Sequence, residues 1–137
     1  MNALWLYRIA AVMLILFAGL HTYGFLKFKP PTAEGQAVME AMDRVHFEVK
    51  GTSLSYGGFY KGFGLFVSVY LFFSAFLAWY LGGLLTTAPR VAGMLGWLLC
   101  AAQVVCAIVG GVSFSATQAA FPGVVAACLG WAAATSR

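Results

Sequence analysis

Long apolar segments separated by short polar ones make up most of the sequence. A helix needs about 20 predominantly apolar residues to cross a bilayer. Four segments approach or exceed this length, at about residues 4–26, 63–85, 91–109 and 119–134. The pattern therefore predicts four transmembrane helices in a single membrane domain that covers residues 1–137. The fourth segment is short, and a re-entrant hairpin is the alternative for it.

The composition supports placing these segments in lipid. Apolar residues make up 62% of the chain and charged residues 9%, whereas soluble domains carry about 25% charged residues. No charged residue occurs between Val91 and Ser136, and this stretch is too long for one span. We therefore expect an all-α fold: an integral membrane four-helix bundle with one amphipathic interfacial helix between the first and second spans.

The expected amphipathic helix covers about residues 32–50, the only long polar segment. Its apolar residues recur on one helical face, at Val38, Met42, Val45 and Val49. Thr32 is the expected N-cap, and Lys50 and Gly51 are expected to end the helix. Such a helix should lie on the membrane and not cross it. The glycine- and aromatic-rich residues 52–64 are expected to form an interfacial turn before the second span.

Charge and cysteine content argue against two classes of partner. The net charge is +4, but the basic residues are scattered and form no stripe that a nucleic-acid backbone could follow. The three cysteines lie in apolar runs without a Cys-x-x-Cys spacing, so neither a zinc site nor a redox pair is predicted.

The distribution of basic residues predicts the orientation in the membrane. The long connection between the first and second spans and its side of the membrane hold five basic residues, and the opposite side holds three. The positive-inside rule therefore places the long connection in the cytoplasm.

Polar residues gather at one end of the predicted bundle. They end the first span, begin the second and precede the fourth, and the amphipathic helix would cover them. Pockets between bundle helices are common ligand sites, so this end predicts a lidded site for a ligand. Its predicted residues are His21, Tyr23, His46, Glu48, Tyr56, Tyr60 and Gln118. The alternative is an interfacial belt of polar and aromatic residues without any ligand, which is the commoner case.

Two histidines offer the most reactive side chains of this end. An ionisable residue within a span is a functional candidate, so His21 would serve as a proton donor or hydrogen-bond anchor. His21 and His46 could together ligate a haem, although no paired spacing motif accompanies them. Asp43 lies three residues before His46 and could orient it as a dyad. No metal site and no catalytic residue are predicted, which leaves open whether the protein is an enzyme.

Two short strings carry a resemblance to known proteins, HTYG at residues 21–24 and FYKGFGL at residues 59–65. With its four spans, the chain resembles the uncharacterised small bacterial membrane proteins that are grouped near the DoxX-like families. The resemblance implies an integral protein of the bacterial inner (plasma) membrane. It implies no activity.

Three functions remain open, in the following order. The first is a structural or accessory subunit, or a component of a homo-oligomer or larger complex, which the rows of small residues in the fourth span favour. The second is a binding protein or enzyme for an apolar ligand, such as a quinone, an isoprenoid or a sterol-like lipid, at the polar end. The third is a small oligomeric transporter or channel. A pore needs polar lining through the bilayer, and Gln103 is one of few deep polar residues.

Overall fold

Four long helices dominate the protein in the computed structural model, which describes residues 2–136. They are α1 (Ala3–Lys27), α3 (Tyr56–Leu84), α4 (Pro89–Ser113) and α5 (Ala116–Thr135). A short helix, α2 (Ala33–Arg44), and two short strands, β1 (His46–Val49) and β2 (Thr52–Ser55), connect α1 to α3. All four long helices are apolar and long enough to cross a membrane. The predicted fold class, an integral membrane bundle of helices, is confirmed.

The chain divides into two compact units. The first contains residues 2–17 and 71–136, and the second contains residues 18–70. The first unit thus holds the beginning of α1, the second half of α3, and all of α4 and α5. Parts of all four long helices pack together in it as a four-helix bundle.

The core of the first unit combines large and small residues. Leu6, Leu14, Leu81 and Leu129 are completely or almost completely buried, together with many alanines. Within a bilayer, lipid is as apolar as these side chains, so close packing and internal hydrogen bonds hold the helices together. Small residues make that packing possible because they let two helix backbones approach each other.

Contacts between α4 and α5 show this use of small residues. The Cys100 thiol on α4 donates a hydrogen bond of 3.2 Å to the carbonyl of Ala126 on α5. Gly130 lies beside the same sulfur, and a Cβ there would be 3.2 Å from it. The predicted row of small residues through Ala126 and Gly130 therefore faces α4.

The second unit joins the end of α1 to the beginning of α3. The two helix segments run antiparallel, since His21 contacts Gly64 while Phe25, further along α1, contacts Tyr60, which lies earlier on α3. Helix α2 and the hairpin belong to the same unit. An ion pair of 3.1 Å between Asp43 of α2 and Lys61 of α3 links them on an exposed surface.

Helix α2 is shorter than the predicted helix over residues 32–50. Thr32 does act as its N-cap, since its hydroxyl accepts the Gly35 N–H at 3.1 Å. The helix ends at Arg44, however, and Val45 is extended. After Arg44, apolar residues occur at every second position. This spacing fits a strand as well as it fits the helical face predicted from the sequence. Strands β1 and β2 then satisfy each other's backbone groups.

A tight turn at Lys50 and Gly51 selects the strand alternative. Both residues have positive φ, 49° and 81°, and Val49 pairs with Thr52 across the turn. Two-residue turns with positive φ at both positions match the twist of an antiparallel hairpin. The two residues expected to end a helix therefore connect two strands.

Helix α3 begins at Tyr56, earlier than the predicted start at about residue 63. The Gly58 N–H donates a hydrogen bond of 3.0 Å to the Ser55 hydroxyl, which satisfies a free amide of the first turn. The glycine- and aromatic-rich segment predicted as a turn is thus divided between β2 and the first turns of α3. Because Gly57 approaches Asp43 so closely that a Cβ would overlap its carboxylate, glycine there serves packing against α2.

Candidate functional site

His21 joins α1 to α3 in the second unit. Its Nε2 lies 3.2 Å from the Gly64 carbonyl oxygen, and it donates the hydrogen bond because a carbonyl can only accept. The imidazole also stacks on Phe25, with ring centroids 5.8 Å apart. A Cβ on Gly64 would overlap the Phe25 ring, so only glycine fits beneath it without a shift. The most promising ionisable residue of the sequence is therefore part of a helix–helix contact.

A pair of hydroxyls makes a second link one residue further along α1. The Thr22 hydroxyl donates to the Ala18 carbonyl oxygen at 2.7 Å, and its oxygen accepts a hydrogen bond of 2.8 Å from the Ser68 hydroxyl of α3. Ser68 is 5% exposed, so this contact is protected from solvent and lipid. Neither residue was predicted as functional, and the sequence signal for them is weak, because single hydroxyls are ordinary in membrane spans.

The three predicted tyrosines differ in their contacts, and Tyr60 shares one with His21. Tyr60 packs on the same Phe25 ring as His21, with centroids 5.3 Å apart. Tyr56 instead packs on Phe47 of β1, at 4.8 Å. Tyr23 lies two residues after His21, about 200° around the helix, and is 69% exposed. Aromatic contacts thus account for Tyr56 and Tyr60, while Tyr23 projects outward.

The two predicted residues of the amphipathic segment lie on β1. His46 Nδ1 donates to the Arg44 carbonyl oxygen at 2.8 Å, and the ring is exposed. Glu48 is also exposed and pairs with Ser53 across the hairpin. Asp43, expected to orient His46, instead receives hydrogen bonds from the Lys61 ammonium at 3.1 and 3.3 Å. The contacts of Asp43 and of His46 thus involve different groups, the Lys61 ammonium and the Arg44 carbonyl.

Gln118, the last predicted site residue, belongs to the first unit. It lies in the first turn of α5, where the Ser115 hydroxyl donates a hydrogen bond to its side-chain oxygen. Gln103, deep in α4, is completely buried in the same unit. Both amides therefore lie within or at the end of the packed bundle.

An open groove of about 580 Å³ lies in the second unit, apart from the predicted set. It is lined by Phe28, Lys29, Pro30, Gln36, Met39, Glu40 and Asp43. None of the seven predicted site residues lines it. Its walls come from the segment that follows α1 and from one side of α2, and they combine apolar side chains with charges of both signs.

A second groove, of about 500 Å³, lies in the first unit and is almost entirely apolar. The Arg8 guanidinium lies over the Trp79 ring at its edge, 3.4 Å from the ring centroid. Arg8 lies near the start of α1, where a long basic side chain can reach the headgroups. The contact with Trp79 was missed because nothing in the sequence pairs these two residues.

Neither a search for metal-binding residues nor a comparison with known proteins points to a function. Within residues 2–136, no group of three or more His, Cys, Asp or Glu side chains is placed to hold a metal ion. The resemblance to DoxX-like proteins stays a prediction. No protein-family model matches the chain, and no curated protein or solved structure is significantly similar to it.

Proposed function

We propose that the protein is a structural or accessory component of a membrane assembly, which acts by packing and not by chemistry. The observation that carries this proposal is the hydrogen bond from His21 to the Gly64 carbonyl. An ionisable side chain inside a span is costly and usually functional. Here its polarity is used to join two helices, and the adjacent Thr22–Ser68 contact has the same role.

The outward-facing side chains support association with other membrane components. In the second unit, α3 exposes Phe59, Phe63 and Phe66, with 51%, 56% and 71% of their surface accessible. These phenylalanines follow each other at spacings of four and three residues and contact one another in edge-on pairs. A helix face with this spacing suits packing against another transmembrane helix.

Cross-linking in the membrane tests this proposal. A photoreactive residue replaces Phe66 on the exposed face, and a matched variant carries it at buried Ser68. We expect the Phe66 position to give a defined cross-linked product, either with a second copy of the chain or with one specific protein. The Ser68 position should cross-link only to residues of the same chain. A chain that forms no protein adduct from Phe66 in its own membrane would contradict an accessory role.

A second candidate is a binding protein for an apolar molecule with a polar head, such as a quinone or an isoprenoid. The observation that favours it is the 580 Å³ groove beside α2, where Phe28 and Met39 lie close to Lys29 and Glu40. Ligand sites usually combine apolar walls with a few polar groups. If this candidate is right, Met39→Trp should displace a small molecule that co-purifies with the wild type, while Val38→Trp on the neighbouring position should not.

A further inference from the structure

Arg8 carries a positive charge that no acidic residue of its own unit neutralises. All four acidic residues of the chain lie between Glu34 and Glu48, whereas Arg8 belongs to the unit of residues 2–17 and 71–136. Its Nη1 atom is buried and has no hydrogen-bond partner among the described residues. The cation–π contact with Trp79 stabilises the charge, but it supplies no negative charge to pair with the guanidinium.

An apolar groove lies beside this guanidinium. Its lining residues are Leu4, Trp5, Arg8, Ile9, Val12, Met13 and Trp79. The α1 members recur at every turn, so the groove follows the helix axis. From Arg8 to Met13, toward the middle of α1, it extends about 8 Å at the rise of an α-helix. This length is about half of one leaflet of the hydrocarbon core, which is about 15 Å, so the groove can hold the first part of an acyl chain.

The position of Arg8 also fits the headgroup region. It lies in the second turn of α1, and Trp79 lies little more than one turn before the end of α3 at Leu84. Gly82 lies in the same region, since a Cβ there would be 3.3 Å from Leu4 and 3.7 Å from the Arg8 Nε. The beginning of α1 and the end of α3 therefore both lie near the Arg8 guanidinium. The apolar part of the groove continues from Arg8 toward the middle of α1.

We infer that this groove binds one anionic phospholipid of the surrounding membrane. The headgroup phosphate pairs with the part of the Arg8 guanidinium that borders the groove, and the first part of one acyl chain lies along Ile9, Val12 and Met13. Charge-assisted hydrogen bonds between guanidinium and phosphate are among the stronger ones in proteins. An anionic lipid is favoured over a zwitterionic one because a choline group would bring a second cation close to Arg8.

Native mass spectrometry of the full chain tests this site. The protein in a mild detergent is mixed with equal amounts of phosphatidylglycerol and phosphatidylcholine that carry identical acyl chains. We expect one phosphatidylglycerol to be retained with about a five-fold preference, the effect of one basic residue near an anionic surface. Arg8→Gln should abolish the preference. The matched control, Arg90→Gln, removes an exposed arginine of the same unit and should retain it.

A second variant keeps the test decisive if Arg8→Gln does not fold. Val12→Trp leaves the charge in place and fills the groove one turn further along the helix, so it should also lose the retained lipid. Equal retention of both lipids by the wild type would overturn the site. So would an unchanged preference in Arg8→Gln or in Val12→Trp, or an equal loss in Arg90→Gln, since a scattered surface charge would then explain the result.

Discussion

The Tyr7 hydroxyl donates a hydrogen bond of 2.8 Å to the carbonyl oxygen of Ala92, and both residues are completely buried. This contact joins the second turn of α1 to the first turns of α4. The Ala92 carbonyl also belongs to the helical backbone, so the hydroxyl uses its second lone pair. Tyr7 resembles His21 in this respect, because each places a polar group of α1 on a backbone carbonyl of another helix.

Removing the Tyr7 hydroxyl should weaken the first unit. We expect Tyr7→Phe to lower the free energy of unfolding by about 1 kcal/mol, the usual net contribution of one hydrogen bond. Denaturant unfolding in detergent measures this change. Tyr23→Phe, at a side chain that is 69% exposed, is the matched control and should have no effect. Equal effects in the two variants would contradict a specific role for the buried contact.

Two glycines should respond oppositely to alanine. A Cβ at Gly96 would overlap the Tyr7 hydroxyl and lie 3.1 Å from the Cβ of Ala133, so Gly96→Ala should destabilise the protein by about 1–3 kcal/mol through overpacking. A Cβ at Gly123 would meet nothing within 4 Å. Gly123→Ala should therefore keep or raise the melting temperature, because alanine favours the helix. A neutral Gly96→Ala would show that the helices can separate at this point without loss.

The same comparison is available within one helix of the second unit. A Cβ at Gly64 would overlap the Phe25 ring, whereas one at Gly62 would meet nothing within 4 Å. Gly64→Ala should displace the ring, weaken the bond from His21 and lower the melting temperature, and Gly62→Ala should not. Combining Gly64→Ala with Phe25→Leu should restore part of the loss, because the smaller side chain leaves room. If Phe25→Leu does not rescue Gly64→Ala, the loss of stability does not come from the overlap with the Phe25 ring.

The hairpin turn is not optimal in sequence. Lys50 adopts a positive φ of 49°, which asparagine and glycine accept more readily than lysine does. We expect Lys50→Asn to stabilise the hairpin by about 0.5–1 kcal/mol, whereas Gly51→Ala, at a φ of 81°, should destabilise it. Amide hydrogen exchange of β1 and β2 reports this directly. Slower exchange in Gly51→Ala would contradict the assigned turn.

The sequence predicts the membrane spans well because they depend on average properties. Length and apolar content identify all four long helices, whichever residues form their contacts. The end of α2 was harder to predict, since Val45 and Val49 fit both a helical face and a strand. The positive φ of Lys50, which selects the strand, has no clear signal in a lysine.

The candidate site was harder to predict because it depends on contacts between distant residues. The sequence brings His21 and Tyr60 near the same end of the bundle, but it does not show that Phe25 lies between them. The bond from His21 to Gly64 involves a backbone carbonyl, which every residue has. The pair of Arg8 and Trp79 joins residues far apart in the chain and follows from packing alone.

The native mass spectrum of the chain extracted from its own membrane, for the wild type and for His21→Ala, tests the proposed structural role most directly. We predict that both spectra show the same bound masses and that His21→Ala melts at a lower temperature, because a helix–helix contact is lost. His46→Ala, at an exposed residue of β1, should match the wild type in both measurements. A small molecule that is bound by the wild type and by His46→Ala but lost from His21→Ala would contradict this account and identify His21 as a ligand-binding residue.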